Sequence, residues 1–151
     1  MSALIARGTV LAADTVIDLD GELLGKPVDA ADARAMLHRL SGRTHQVHTG
    51  VALVFQSGRQ SGSQPAWTPG DLAADDVATS TVAFRELEPS EIERYVASGE
   101  PSGKSGSYAI QGGAKGFVSR IEGDVDNVVG LPRAAVVRLL AALARRVASR
   151  P

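Results

Sequence analysis

Asp14 and Lys26 are the residues whose types and spacing most directly suggest chemistry. The stretch Ala13 to Pro27 reads A-D-T-V-I-D-L-D-G-E-L-L-G-K-P, with the acid near one end and the lysine near the other. A carboxylate within an apolar strand is costly to bury unless a partner or a metal compensates. Such a group can hold a hard cation or take a proton from water. A lysine constrained between Gly25 and Pro27 can neutralise a phosphate. The pair points to phosphate chemistry. The plainer readings are an acid that caps a nearby loop and a lysine solvated in a turn.

Other constellations carry less. No Gly-x-x-x-x-Gly-Lys-Ser/Thr loop precedes a helix, and the glycines of residues 103–116 do not match Gly-x-Gly-x-x-Gly on a strand-to-helix turn. There is no Gly-x-Ser-x-Gly elbow for acyl transfer. His45 and His48 fall in a valine-rich strand, where residues three apart point to opposite faces, so they do not share one zinc ion. His38 falls off the apolar stripe of a helix. A metal here is therefore expected to be a hard ion such as Mg²⁺, held by carboxylates, water and phosphate oxygens.

The elements that must position these residues follow from periodicity. Val10–Ile17 reads as a mostly buried strand, and Asp20-Gly21 as a turn that either starts a hairpin or leaves the sheet. Asp29 suits the N-cap of a helix through Leu40, with Ala33, Met36, Leu37 and Leu40 on one face and Gly42 at its stop. Gln46–Phe55 and Val77–Leu87 read as further strands. Between them, residues 57–70 form a polar loop in which Trp67 is expected to be a packing anchor. Pro89-Ser90 opens a short helix, where Ser90 and Glu93 match a capping box. A second glycine-rich stretch, 100–116, leads to a short strand at Phe117–Ile121. Pro132 then begins a last helix with Val136, Leu139, Leu140, Leu143 and Val147 as its buried stripe. Its arginines, Arg138, Arg145 and Arg146, read as a solvated face. Interspersed strands and helices predict the α/β class.

Composition bounds the function. The 151 residues, 44% of them hydrophobic, can bury one sizeable core, so a single domain over residues 1–151 is expected. A net charge of -1 gives no global field toward nucleic acid, and none is expected as a partner. The absence of cysteine excludes disulfides and thiolate metal sites and fits a reducing compartment. No apolar run approaches the ~20 residues of a membrane span. A cytoplasmic protein with no membrane partner is expected.

In order along the chain come A-D-T-V (13–16), G-K-P (25–27), L-S-G-R-T-H-Q-V-H-T-G (40–50), T-V-A-F (81–84), E-I-E-R-Y-V-A-S-G-E-P (91–101), K-S-G-S-Y-A-I-Q-G (104–112) and N-V-V-G-L-P (127–132). Together these segments resemble the Maf family of nucleoside triphosphate pyrophosphatases. The resemblance implies a mixed central sheet flanked by helices with a nucleotide cleft, related in architecture to inosine triphosphatases. It implies cleavage of a nucleoside triphosphate to the monophosphate and pyrophosphate with Mg²⁺ or Mn²⁺, and a homodimer. Asp14 then corresponds to the family's proton acceptor and a metal contact, and Lys26 to its phosphate partner. Thr15 and Gln111 correspond to positions of substrate choice, and Lys104 to a candidate substrate-binding residue. The I-Q-G form resembles the branch acting on dTTP and UTP. The chain departs from the family pattern in two places. Only thirteen residues precede Asp14, without the family's first strand and Ser-x-Ser-Pro-Arg-Arg phosphate loop. Gly103 and Ser105 stand where the family has Asp and Ala around Lys104. The expectation is thus an N-terminally shortened pyrophosphatase. The alternative is a non-catalytic nucleotide-binding or cell-division regulatory protein of the same fold.

Overall fold

The computed structural model describes residues 8–56 and 72–148. Three long strands, β1 (Gly8–Leu19), β3 (Thr44–Gln56) and β4 (Leu72–Phe84), and two short ones, β2 (Glu22–Leu24) and β5 (Val118–Glu122), form one five-stranded sheet. Their order is β2-β1-β3-β4-β5, and each described pairing is antiparallel. The Asp20-Gly21 turn is a hairpin: Leu19 pairs with Glu22, and the two turn residues have φ of 56° and 86°. Positive φ at both central positions matches the right-handed twist of the strands it joins.

Among the described residues, four α-helices complete the α/β fold: α1 (Ala30–Leu40), α2 (Pro89–Ala97), α3 (Val125–Val129) and α4 (Arg133–Ala148). Asp29 caps α1, its side chain accepting from the Asp32 N–H at 2.8 Å. Ala33, Leu37 and Leu40 are buried, while His38 is exposed. In α2 the expected Ser90–Glu93 box does not form, because Glu88 is the N-cap and the third helical residue is Glu91. Glu91 accepts from the Glu88 N–H at 3.1 Å, leaving Glu93 to pair with Arg34 of α1.

Side-chain alternation puts His45, Val47, Thr49, Val51 and Leu53 of β3 on one face of the sheet, all of them buried. One apolar cluster on that face joins Ile17, Leu19, Val47, Val82 and Phe84 to α1 and α2. A smaller one joins Val51 and Leu53 to Leu139 of α4. The buried line of α4 is Ala135, Leu139 and Leu143, narrower than expected, and Leu140 is 46% exposed. Spacing of four residues gives a thin stripe, so the helix meets β3 and β4 along a line. The Val147 side chain, residues 57–70 and Trp67 lie outside the described residues.

The expectation of a mostly buried β1 holds only at its C-terminal end. Ile17 and Leu19 are each 2% exposed, whereas Val10 and Leu11 are each 41% exposed. Among the described residues, β2 flanks β1 only at Ile17 to Leu19, and the α1–α2 core lies against that end.

Candidate functional site

Where β2 stops, a cleft of about 280 Å³ opens at the edge of β1. Ala13, Asp14, Thr15 and Ile17 supply one wall, and Lys26 enters from the loop after β2. Gly103, Lys104, Ser105, Tyr108, Ala109, Ile110 and Gln111 form the opposite side. Val128 and Val129 of α3 add an apolar wall. Asp14, Thr15, Lys26, Lys104 and Gln111 therefore all line one cleft.

Asp14 is exposed, not buried as its apolar surroundings in the sequence predicted. Alternation along β1 turns Asp14 to the face opposite Thr15, Ile17 and Leu19, and β2, which pairs only with Ile17 to Leu19, does not flank it. Burial therefore does not set its chemistry. What distinguishes it is company: two ammoniums, Lys26 and Lys104, share the cleft with this one carboxylate. The cleft is net positive in a chain whose net charge is -1.

Several charges elsewhere engage each other. Arg34 pairs with Glu93, Arg39 with Glu22, Arg43 with Asp20, Arg85 with Glu91 and Arg138 with Asp76. Hydrogen bonding from Arg85 holds the Glu91 carboxyl down at about 2. By contrast, the side chains of Asp14, Lys26, Lys104 and Gln111 make no hydrogen bond or ion pair with another described residue. Charged groups left free and convergent in a cleft are available to a ligand.

The 100–112 loop is anchored at several points. The Ser105 hydroxyl donates to the Thr15 carbonyl at 2.7 Å, and the Gly106 N–H donates to the Gly25 carbonyl at 2.9 Å. These bonds fix Lys104 beside β1 and the Lys26 loop. Gly106 has φ of 65°, and an added Cβ would sit 2.7 Å from Ile17 Cγ1, so only glycine lets the loop lie this close. Tyr108 is buried, its hydroxyl 2.8 Å from His45 Nε2, within a cluster that includes Phe84 and Phe117. Burial pushes the Tyr108 hydroxyl up and brings His45 down to about 4, so both are neutral near pH 7. Beyond Gln111, the Gly113 N–H donates to Glu100 Oε2 at 2.8 Å.

His45 and His48 stand on opposite faces of β3, as alternation requires. His48 Nδ1 lies 2.9 Å from Thr79 Oγ1 on the face away from Tyr108. No group of three or more metal-ligating side chains forms among the described residues. No described helix is long and apolar enough to cross a membrane.

Sequence reasoning did not single out Ser105, Tyr108, Thr49 or Asn127 as supports of the site. Thr49 carried a signal, a polar residue at an inward position of a valine-rich strand. Asn127 carried a similar one, an amide inside V-D-N-V-V.

An antiparallel sheet packed by helices, with an open cleft at its edge that carries two lysines and one aspartate, defines a protein of the α/β class. The chain belongs to the Maf family: the family model described as Maf-like protein matches residues 1–143. It is 47% identical over 131 residues to the dTTP/UTP pyrophosphatase of Nitrosomonas europaea, covering 87% of this chain and 56% of that protein. It is 50% identical to the dTTP/UTP pyrophosphatase of an Anaeromyxobacter species, covering 87% of this chain and 60% of that protein. The nucleoside triphosphate pyrophosphatase of Xylella fastidiosa is 48% identical, with 87% of this chain and 63% of that protein covered. The chain thus spans less than two thirds of the length of these relatives.

Proposed function

We propose that the cleft binds a nucleoside triphosphate of the dTTP/UTP type and hydrolyses it to the monophosphate and pyrophosphate. The observation that carries this reading is the convergence of Asp14, Thr15, Lys26, Lys104 and Gln111 on one cleft, with the charges unpaired among described residues. Asp14 accepts a proton from water as its oxygen bonds to the α-phosphorus. The bond from that phosphorus to the bridging oxygen breaks, and pyrophosphate leaves. Lys26 and Lys104 offset charge on the phosphate oxygens, the main demand of this chemistry. Gln111, whose amide both donates and accepts, suits the edge of a pyrimidine, and Val128 and Val129 offer it an apolar wall.

The donor set fits a hard divalent ion of the Mg²⁺ or Mn²⁺ kind. The cleft holds one carboxylate, Asp14, and an ion that keeps several waters needs only one or two when phosphates complete its shell. Such an ion, when bound, would stabilise negative charge on the phosphates.

The test is pyrophosphate release from dTTP and UTP with Mg²⁺ or Mn²⁺. Asp14→Asn is expected to lower kcat by about 10²–10⁴, the usual worth of a general base. Lys26→Met is expected to cost about 10²–10³. Nucleotide binding without turnover in the unmutated chain would overturn the hydrolytic reading and favour the non-catalytic alternative.

A further inference from the structure

We infer that Thr49 is a positioning residue that fixes the hydrogen-bond polarity of Thr15, so that Thr15 meets the bound nucleotide only as an acceptor. The inference rests on the nucleotide reading of the cleft. Thr15 and Thr49 are directly opposite in the β1–β3 register, with their hydroxyl oxygens 2.9 Å apart. Distance alone leaves the donor open. One arrangement makes both bonds at once: the Thr49 hydroxyl donates to the Asn127 carbonyl at 3.0 Å, which can only accept, and Thr15 donates to Thr49. Thr49 has one proton, so the proton between the two threonines belongs to Thr15.

The far end of this chain of bonds is equally directed. Asn127 is fully buried, and its amide nitrogen donates to the Val47 carbonyl at 2.9 Å and to Ser80 Oγ at 3.0 Å. Turning the amide over would set its oxygen against the Val47 carbonyl, so the orientation is fixed. Ser80 passes its own proton to the Asp124 carbonyl at 2.9 Å. Asn127 is thereby locked in place beneath Thr49, which is itself 0% exposed.

The consequence falls on the cleft. Thr15 lines it half-buried, with its proton turned inward and its remaining lone pairs available. A hydroxyl in water can donate or accept, but this one is restricted to accepting. It therefore selects a ligand group that carries a proton. On a pyrimidine nucleotide that group is the imide N–H of uracil or thymine, or a sugar hydroxyl. Cytosine presents an acceptor at the imide position and is disfavoured in the first case.

Thr49→Val tests this with little risk to the fold. The Asn127 carbonyl keeps a second donor, the Gly130 N–H at 3.0 Å, and Thr15 is open enough for water to replace Thr49. Steady-state kcat and KM for UTP, CTP, dTTP and 3′-deoxythymidine triphosphate are measured on the unmutated chain, Thr49→Val and Thr49→Ser. The UTP/CTP ratio reads the imide, and the dTTP/3′-deoxy ratio reads the sugar. The unmutated chain is expected to discriminate in one arm. In Thr49→Val that ratio should fall about tenfold, the worth of one hydrogen bond, mainly through KM. Thr49→Ser should restore it. If Thr49→Val does not fold, Thr15→Val serves, and it should lose the same discrimination. An unchanged ratio in either valine variant, an equal loss on all four substrates, or no discrimination by the unmutated chain would overturn the role of Thr49. No binding or turnover of any of the four by the unmutated chain would overturn the nucleotide reading itself, and this inference with it.

Discussion

The Ser105 hydroxyl donates to the main-chain carbonyl of Thr15 at 2.7 Å, joining residues ninety positions apart. This bond ties the loop that carries Lys104 to the strand that carries Asp14, so the spacing of the cleft depends on it. An alanine at position 105 could not make the bond. Ser105→Ala is expected to cost about 1 kcal/mol of stability, as for one lost hydrogen bond. It should also raise KM for a nucleotide several-fold, because Lys104 loses its tether. Urea unfolding and steady-state kinetics check the two effects separately.

Gly106 is required for two reasons, its φ of 65° and the 2.7 Å approach that an added methyl would make to Ile17. Gly106→Ala is expected to destabilise by about 1–3 kcal/mol through backbone strain and overpacking. Gly116→Ala is the control, because nothing lies within 4 Å of its added methyl. Thermal unfolding should separate the two variants clearly.

Glu100 holds the turn after Gln111 by accepting from the Gly113 N–H. Glu100→Ala should speed hydrogen exchange at the Gly113 amide by about tenfold, the equivalent of one hydrogen bond lost. Glu100→Gln keeps an acceptor and should retain most of the protection. The accompanying loss of nucleotide affinity reports how far Gln111 depends on this support.

Stability should fall with acid through His45. Burial lowers it from its ordinary 6.5 to about 4, so between those pH values the unfolded chain binds a proton that the folded chain does not. Stability from this residue is full above pH 6.5, declines as pH drops through the window, and loses no more below about 4. The total is on the order of 3 kcal/mol for a shift of this size. Urea unfolding from about pH 7 to 4 measures it, and His45→Gln should remove about one proton from the slope.

Much of the fold was legible locally. Asp29 caps α1 and Asp20-Gly21 makes a turn because each device acts over two to four residues, within reach of a sequence pattern, while only the pairing of Leu19 with Glu22 made that turn a hairpin. The α2 capping box was misplaced because two acids, Glu91 and Glu93, both suit it, and Arg34 from another helix claims Glu93. The buried line of α4 was drawn too wide because periodicity marks apolar residues but not how flat a surface they meet. Leu140 is apolar and exposed for that reason.

Residue type and near spacing were enough to establish the alternation of strands and helices, the split of His45 and His48 to opposite faces, and the motif order that marks the family. The exposure of Asp14 came only from the folded chain, because it depends on which face of β1 the helices cover and on where β2 stops. So did the direction of the Thr15–Thr49–Asn127 bonds, whose partners lie 34 and 78 residues apart. A hydroxyl takes its polarity from the groups packed against it, and no spacing along the chain records which groups those are.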